Sequence, residues 1–301
     1  MHDNQQADLP ARAQANPAPT FALADHHVVS LSGRDAAAFA QSQFMNDVNA
    51  ITNGHWQWNG WLSPKGRVIA LFALLRIDDE TVWLLLPDAD PVLLVAALQR
   101  FVFRSKVALA VRADLRVSGA FDAPAGAGGA CIGTDSAAGV ELDLGGEGGP
   151  RRLRIAADAA TAGAAEDDPA RVERWTVFDL MHGLPRLPGS EAEQWTPQQL
   201  SLERLAAFSV KKGCYPGQEI VARTHFLGKA KRGLALLEAG ASLVVGADVR
   251  DGDTVLGRVI ASASDAGRHL GLAVLPKEHA APIDAGGVAV REVPIGDGLA
   301  R

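Results

Sequence analysis

Lys211-Lys212-Gly213-Cys214-Tyr215-Pro216-Gly217-Gln218-Glu219-Ile220-Val221-Ala222-Arg223 is the stretch on which the reading of this chain turns. Cys-Tyr-Pro-Gly is a tight turn, and Gly217 and Gln218 open a short helix. Cys214 therefore precedes a helix N-terminus, whose partial positive charge favours a thiolate. Lys211 and Lys212 add to that field. Gly213 and Gly217 permit close backbone approach or unusual dihedrals. Free N–H groups at the helix start can hold a carboxylate or phosphate. Glu219 and Arg223 stand four apart on one helix face, as an ordinary helix pair does. Two readings of Cys214 stand side by side: an activated thiol, or a small buried hydrophobe. Tyr215 is the chain's only tyrosine and reads as a packed ring with a bonded hydroxyl.

Outward from this stretch, residues 203–232 carry seven cations against Glu203 and Glu219, a local charge of +5. The whole chain of 301 residues is at −6, so the remainder is at −11. An acidic protein with one basic segment suits a local anionic partner better than general nucleic-acid affinity, and direct DNA binding is not expected. Apolar residues make up 48% and charged residues 21%, which excludes fibrous and wholly disordered classes. No apolar run reaches the length of a membrane span. Two cysteines, Cys131 and Cys214, exclude a disulfide framework and a self-contained four-cysteine metal site, and point to the cytoplasm. No metal ligand set is expected.

Residues 1–20 read as a disordered tail, not a signal peptide. Strands are expected at Val28–Ser32 and Trp56–Trp61, the latter half-buried, then a hairpin of Arg67–Ile77 and Thr81–Leu86. Asp35 is a candidate N-cap for a helix to about Phe44, and Asp90-Pro91 opens another with Leu94, Leu98 and Phe101 facing the core. A strand follows at Lys106–Arg112. Residues 119–165 are Gly/Ala-rich and irregular, with short strands near Val140–Leu144 and Arg152–Ile155; Cys131 lies there and is given no role. Helices are expected at Pro169–His182 and from Thr196-Pro197 to about Phe208. Short strands then recur at Leu234–Leu237, Leu243–Val249, Thr254–Ser262, His269–Val274 and Val288–Val293, the spacing of a small antiparallel barrel or sandwich.

Lys212, Gly213, Cys214, Tyr215, Gly217, Gln218, Glu219 and Arg223 match the pattern K-G-C-Y-x-G-Q-E followed by arginine. The stretch resembles the signature of the YgfZ family, folate-binding proteins related to the glycine cleavage T-protein (aminomethyltransferase, GcvT). Ser42–Val48, Leu62–Val68, Phe101–Val107, Gly183-Leu184-Pro185 and Thr196-Pro197-Gln198 resemble further family blocks in the same order. The resemblance covers roughly residues 21–235, read as the folate-binding region, and leaves 236–301 as the barrel.

The resemblance implies an α+β, GcvT/YgfZ-like multi-domain arrangement around a central folate hole, with a C-terminal antiparallel β-barrel. It implies tetrahydrofolate or a derivative as cofactor, iron–sulfur enzymes or assembly proteins as partners, and an effect on tRNA modification. Trp175 matches a tryptophan assigned to folate binding in related proteins; it also reads as a core aromatic. A second such tryptophan falls on His26. Position 214 is then expected to present its sulfur at the lip of a pterin cavity. The T-protein's acidic pair becomes Ala70 and Leu71, which can neither take a proton nor stabilise a developing cation. The favoured function is thus an accessory protein rather than an aminomethyltransferase. A folate-dependent aminomethyltransferase, or another one-carbon transferase, is the alternative, and an RNA-binding module that contacts tRNA ranks third.

Overall fold

The computed structural model describes residues 18–134, 139–157, 165–228, 230–279 and 282–301. The expected tail lies outside these residues as far as residue 17, as do two pieces of the 119–165 part. In chain order, β1 (Phe21–Ala22), β2 (His27–Ser32), α1 (Ala36–Gln43), β3 (His55–Leu62), β4 (Val68–Arg76), β5 (Thr81–Leu86), α2 (Pro91–Gln99) and β6 (Ala108–Val111) come first. The strands among them pair antiparallel in the order β3-β4-β5-β2-β6. Next come β7 (Leu115–Ala120), β8 (Gly133–Thr134), β9 (Val140–Asp143) and β10 (Arg152–Ala157), which form a second sheet ordered β1-β7-β10-β9-β8. Then α3 (Pro169–Met181) and α4 (Gln218–Phe226) lead to the last strands. These are β11 (Arg232–Ala239), β12 (Asp248–Asp251), β13 (Thr254–Asp265), β14 (Arg268–Pro276), β15 (Ile283–Ala285) and β16 (Val288–Val293), closed as β11-β14-β13-β12-β15-β16. Closure removes the exposed edges that an open antiparallel sheet would leave.

The first sheet is covered on both faces, and this explains the nearly unbroken apolar run of β4. Ala70, Phe72 and Leu74 pack into a cluster with Phe39 of α1 and Leu94 and Leu98 of α2. Leu71, Ala73 and Leu75 point the other way, into a central core with Trp56, Trp58, Trp175 and Leu153. Trp56–Trp61 is accordingly buried throughout, not half-buried as its alternation suggests. Period-2 patterning separates the two faces of a strand but does not say that one of them meets water.

Asp90 caps α2, accepting from the backbone N–H groups of Val92 and Leu93. Phe101 falls beyond the end of that helix, is exposed, and meets Trp61 edge-on at 5.9 Å instead of entering the core. Asp35 flanks α1 but does not cap it; its carboxylate accepts from the backbone N–H of Lys106 at 2.6 Å, which ties α1 to the approach to β6. The helix expected from Thr196 to Phe208 is a series of turns with a short three-ten piece, Leu202–Leu205. Ser201 and Ala206 both take left-handed backbone angles, at φ +49° and +53°. The Ser201 hydroxyl receives the backbone N–H of Leu234 at the mouth of the barrel, so tertiary contacts override local helix propensity. In the barrel, Leu243–Ala247 is not strand, while β15 carries a strand that its short apolar content did not announce. Glu191 pairs with Arg258 at 3.1 Å, and Glu173 of α3 accepts from the backbone N–H of Ser264 at 2.6 Å, so the barrel is fastened to the sheets. No helix among the described residues is long and apolar enough to cross a membrane.

Candidate functional site

The signature forms a clasp whose inner half is buried and whose outer half is exposed. Lys212 is buried, and its ammonium donates to the backbone carbonyls of Gln41 at 2.6 Å, Phe44 at 2.5 Å and Asn46 at 3.1 Å. Those carbonyls belong to the end of α1 and the turn behind it. That turn is itself locked: the Asn46 side-chain amide donates to Trp58 and Ala206 carbonyls, and Asn46 N–H donates to Asn59 Oδ1. Burial pushes the Lys212 amine down to about 8, against the smaller opposing pull of Asp47. Its ammonium is thus turned inward onto backbone carbonyls, not outward to solvent. Lys211 alone of the pair is exposed.

Tyr215 is buried beside this ammonium, 5.0 Å from Nζ to the ring centre. Its hydroxyl donates to the Ser209 carbonyl at 3.2 Å, as expected of a packed tyrosine, and burial raises it to about 12. Tyr215 and Gln218 bond reciprocally: Gln218 N–H donates to the Tyr215 carbonyl at 3.2 Å, and Tyr215 N–H donates to Gln218 Oε1 at 3.3 Å. Gly217 sits at φ +80°, and a Cβ there would lie 2.6 Å from Ser63 O and 2.7 Å from Gly66 Cα. The signature therefore docks on the Ser63–Gly66 turn through two facing glycines. Gly213 makes no such demand: its φ is not positive, and a Cβ would meet nothing within 4 Å. Three sequence blocks, Ser42–Val48, Leu62–Val68 and the signature, converge on one place. Sequence spacing ordered them but gave no sign of this contact.

The outer half is Cys214, exposed, followed by α4 with Glu219 and Arg223 exposed. The expected Glu219–Arg223 ion pair does not form among the described residues. Phe226 and Leu227 are also turned to solvent, at 68% and 84% exposure. The buried-hydrophobe reading of Cys214 is overturned. The +5 segment is not one patch either. Lys212 is buried, Arg204 is taken up by Asp297 and the carbonyls of Ile295 and Gly296, and Arg232 donates to the Leu256 carbonyl.

His26 and Trp175 lie apart from this clasp. Both line a small cavity with Trp58, Leu85, Leu144, Leu153, Asp179 and Leu184, and no residue of 211–223 is among its walls. Cys214 is therefore not at its lip. Trp175 is buried against Phe21 at 5.8 Å, with the Arg151 guanidinium 4.3 Å above its ring. Arg151 is wholly buried and paired with Asp179 at 2.7 Å; burial lowers its pKa despite that partner. His26 is held neutral, its pKa driven well below the ordinary value by burial first and by Arg186 second. Among the described residues, His26 Nδ1 and Arg151 Nη2 are buried without a hydrogen-bond partner. Aromatic faces, a carboxylate and unpaired nitrogens suit the polar edge and flat ring of a reduced pterin. The space does not: the cavity holds about 20 Å³, about one water. A cleft of about 460 Å³ adjoins it, sharing His26 and lined by Leu23, Leu115, Val117 and Ser118. Ala70 and Leu71, the pair that the resemblance sets against the transferase's acids, are both buried in hydrocarbon.

No family model matches the chain. It is 27% identical over 253 residues to the tRNA-modifying protein YgfZ of Klebsiella pneumoniae (strain 342), covering 78% of this chain and 76% of that protein. It is 28% identical over 256 residues to the tRNA-modifying protein YgfZ of Colwellia psychrerythraea, covering 77% and 75%. Among solved structures, glycine cleavage system aminomethyltransferase T from Bartonella henselae superposes with a TM-score of 0.71 at 13% identity, over 92% of this chain and 85% of that one.

Proposed function

We propose, from a chain that is a YgfZ-family protein of GcvT-like fold, that it serves as an accessory protein of tRNA modification, binding a reduced folate and presenting Cys214 to iron–sulfur partners. One observation carries the reading: a signature locked by buried contacts on its inner side leaves a thiol exposed on its outer side. Locking a turn this thoroughly is expensive for a chain that gains nothing from what the turn displays. Phe226 and Leu227, exposed at the far end of α4, suit a protein partner. A single cysteine cannot hold a cluster alone, so further ligands come from the partner.

Folate binding rests on the chemistry of the His26–Trp175–Asp179 wall, and it requires that wall to open toward the adjoining cleft, because the cavity as it stands is too small. Ala70 and Leu71 put no acid at the two positions aligned with the transferase's acidic pair, and the cavity's Asp179 is engaged by Arg151, which favours the accessory reading over aminomethyl transfer. Titration with tetrahydrofolate, followed by tryptophan fluorescence, tests the folate part. A saturable quench, weakened in Trp175→Phe, is expected; a flat titration rejects it. Incubation with tetrahydrofolate and an aminomethyl donor tests the rest, and methylene-tetrahydrofolate formed above background would reject the accessory reading.

A further inference from the structure

The second cysteine, in the Gly/Ala-rich part, has company that the sequence does not show. The turn Gly128–Cys131 is closed by Cys131 N–H donating to the Gly128 carbonyl at 3.0 Å and is pinned beside the start of β3. Trp56 N–H donates to the Ala130 carbonyl at 2.9 Å, and Ile132 N–H donates to the Gly54 carbonyl at 2.8 Å. These two bonds flank the facing pair His55 and Cys131. In an antiparallel ladder such a pair is the non-hydrogen-bonded kind, the one that brings side chains closest. Cys131 Sγ accordingly lies 3.4 Å from His55 Nε2, and Cys131 is exposed.

The far side of the imidazole favours one tautomer. His55 Nδ1 is 3.2 Å from the Asn53 carbonyl and 3.0 Å from Thr52 Oγ1. A carbonyl can only accept, so the Asn53 contact favours the tautomer with its proton on Nδ1, in which Nε2 is left as the base. Nucleophile, base and orienting acceptor thus stand in the order that activates a thiol.

We propose that Cys131 and His55 form a second thiol site, at which Nε2 takes the thiol proton while Sγ attacks a low-molecular-mass disulfide. The reagent's S–S bond breaks and a new one forms from Cys131 Sγ to one of its sulfurs. The other sulfur leaves as a thiolate and takes the proton from the imidazolium. Cys131 is oxidised to a mixed disulfide as the reagent is reduced to one free thiol. The site is independent of Cys214 and of any folate.

The full chain carrying Cys214→Ser keeps Cys131 as its only thiol. Its reaction with 4,4′-dithiodipyridine, followed by release of the absorbing thione, should slow about tenfold or more on adding His55→Gln, a modest share of what a positioned general base supplies. His55→Ala should slow it equally, and imidazole added to the buffer should restore the rate. The parent should also outpace the reciprocal variant Cys131→Ser, in which Cys214 reacts without an imidazole. Rates within about twofold of the parent in both His55 variants, or a slowed rate that imidazole leaves unchanged, would overturn the proposal.

Discussion

Two glycines of the same motif should respond oppositely to one methyl group. At Gly217 an alanine meets two penalties. Its φ of +80° is left-handed territory, which costs a side chain about 1 kcal/mol. Its Cβ would also stand 2.6 Å from Ser63 O and 2.7 Å from Gly66 Cα, both backbone atoms that cannot rotate away. Overpacking of that kind costs about 1–3 kcal/mol, so the sum is about 2–4 kcal/mol. At about 1.6 °C per kcal/mol for a chain of 301 residues, Gly217→Ala should lower the melting temperature by roughly 3–6 °C. Gly213→Ala has open space and an ordinary φ, and should stay within about 1 kcal/mol of the parent, helped by a less flexible unfolded chain. Circular dichroism melts of the three proteins decide the matter. A Gly217→Ala melt within about 1 °C of the parent, or an equal loss from Gly213→Ala, would refute the docking of the signature on the Ser63–Gly66 turn.

Lys212→Met should cost about 2–4 kcal/mol in denaturant unfolding, because two buried carbonyls and one half-buried carbonyl lose their donor while the expense of burying an ammonium is relieved. The same lysine sets a pH dependence. With its folded value at about 8 and the unfolded one near 10.4, the unfolded chain holds the extra proton between them. Stability attributable to Lys212 therefore rises with pH across that window, and the rise should be missing when Lys212→Met is compared with the parent. Asp179→Ala strands the wholly buried Arg151 guanidinium and should cost about 3–5 kcal/mol by the same unfolding assay, with Arg186 losing a second, longer contact at 3.8 Å.

What the residues disclosed and what they hid follow from the range of the interactions. The cap at Asp90 is a local matter of two backbone bonds and one proline, and it was legible. So was an antiparallel barrel or sandwich at the end of the chain, through its recurring short strands and turns, with the resemblance pointing to the barrel. The destination of Lys212 was not: its acceptors lie some 170 positions away, and nothing in the motif distinguishes an ammonium facing a thiolate from one buried under α1. The false helix after Thr196 shows the same limit, since Ser201 is held by a backbone group of β11. The pairing of Cys131 with His55 spans 76 positions and depends on ladder register, so a glycine-rich loop hid it. Trp175 and His26 were matched one by one to folate-associated positions; that they line one cavity is seen only in the structure. The tightness of that wall depends on Arg151 and Asp179, a buried ion pair that no spacing rule announces.

The exposed thiol at the tip of the clasp is tested most directly by measuring modified nucleosides in tRNA from cells whose only copy of this protein carries Cys214→Ala. Folding of the variant is checked by its melt, which the exposed position should leave unchanged. A loss of modification to the level of cells lacking the protein is the predicted result, and full modification with Cys214→Ala would contradict the account.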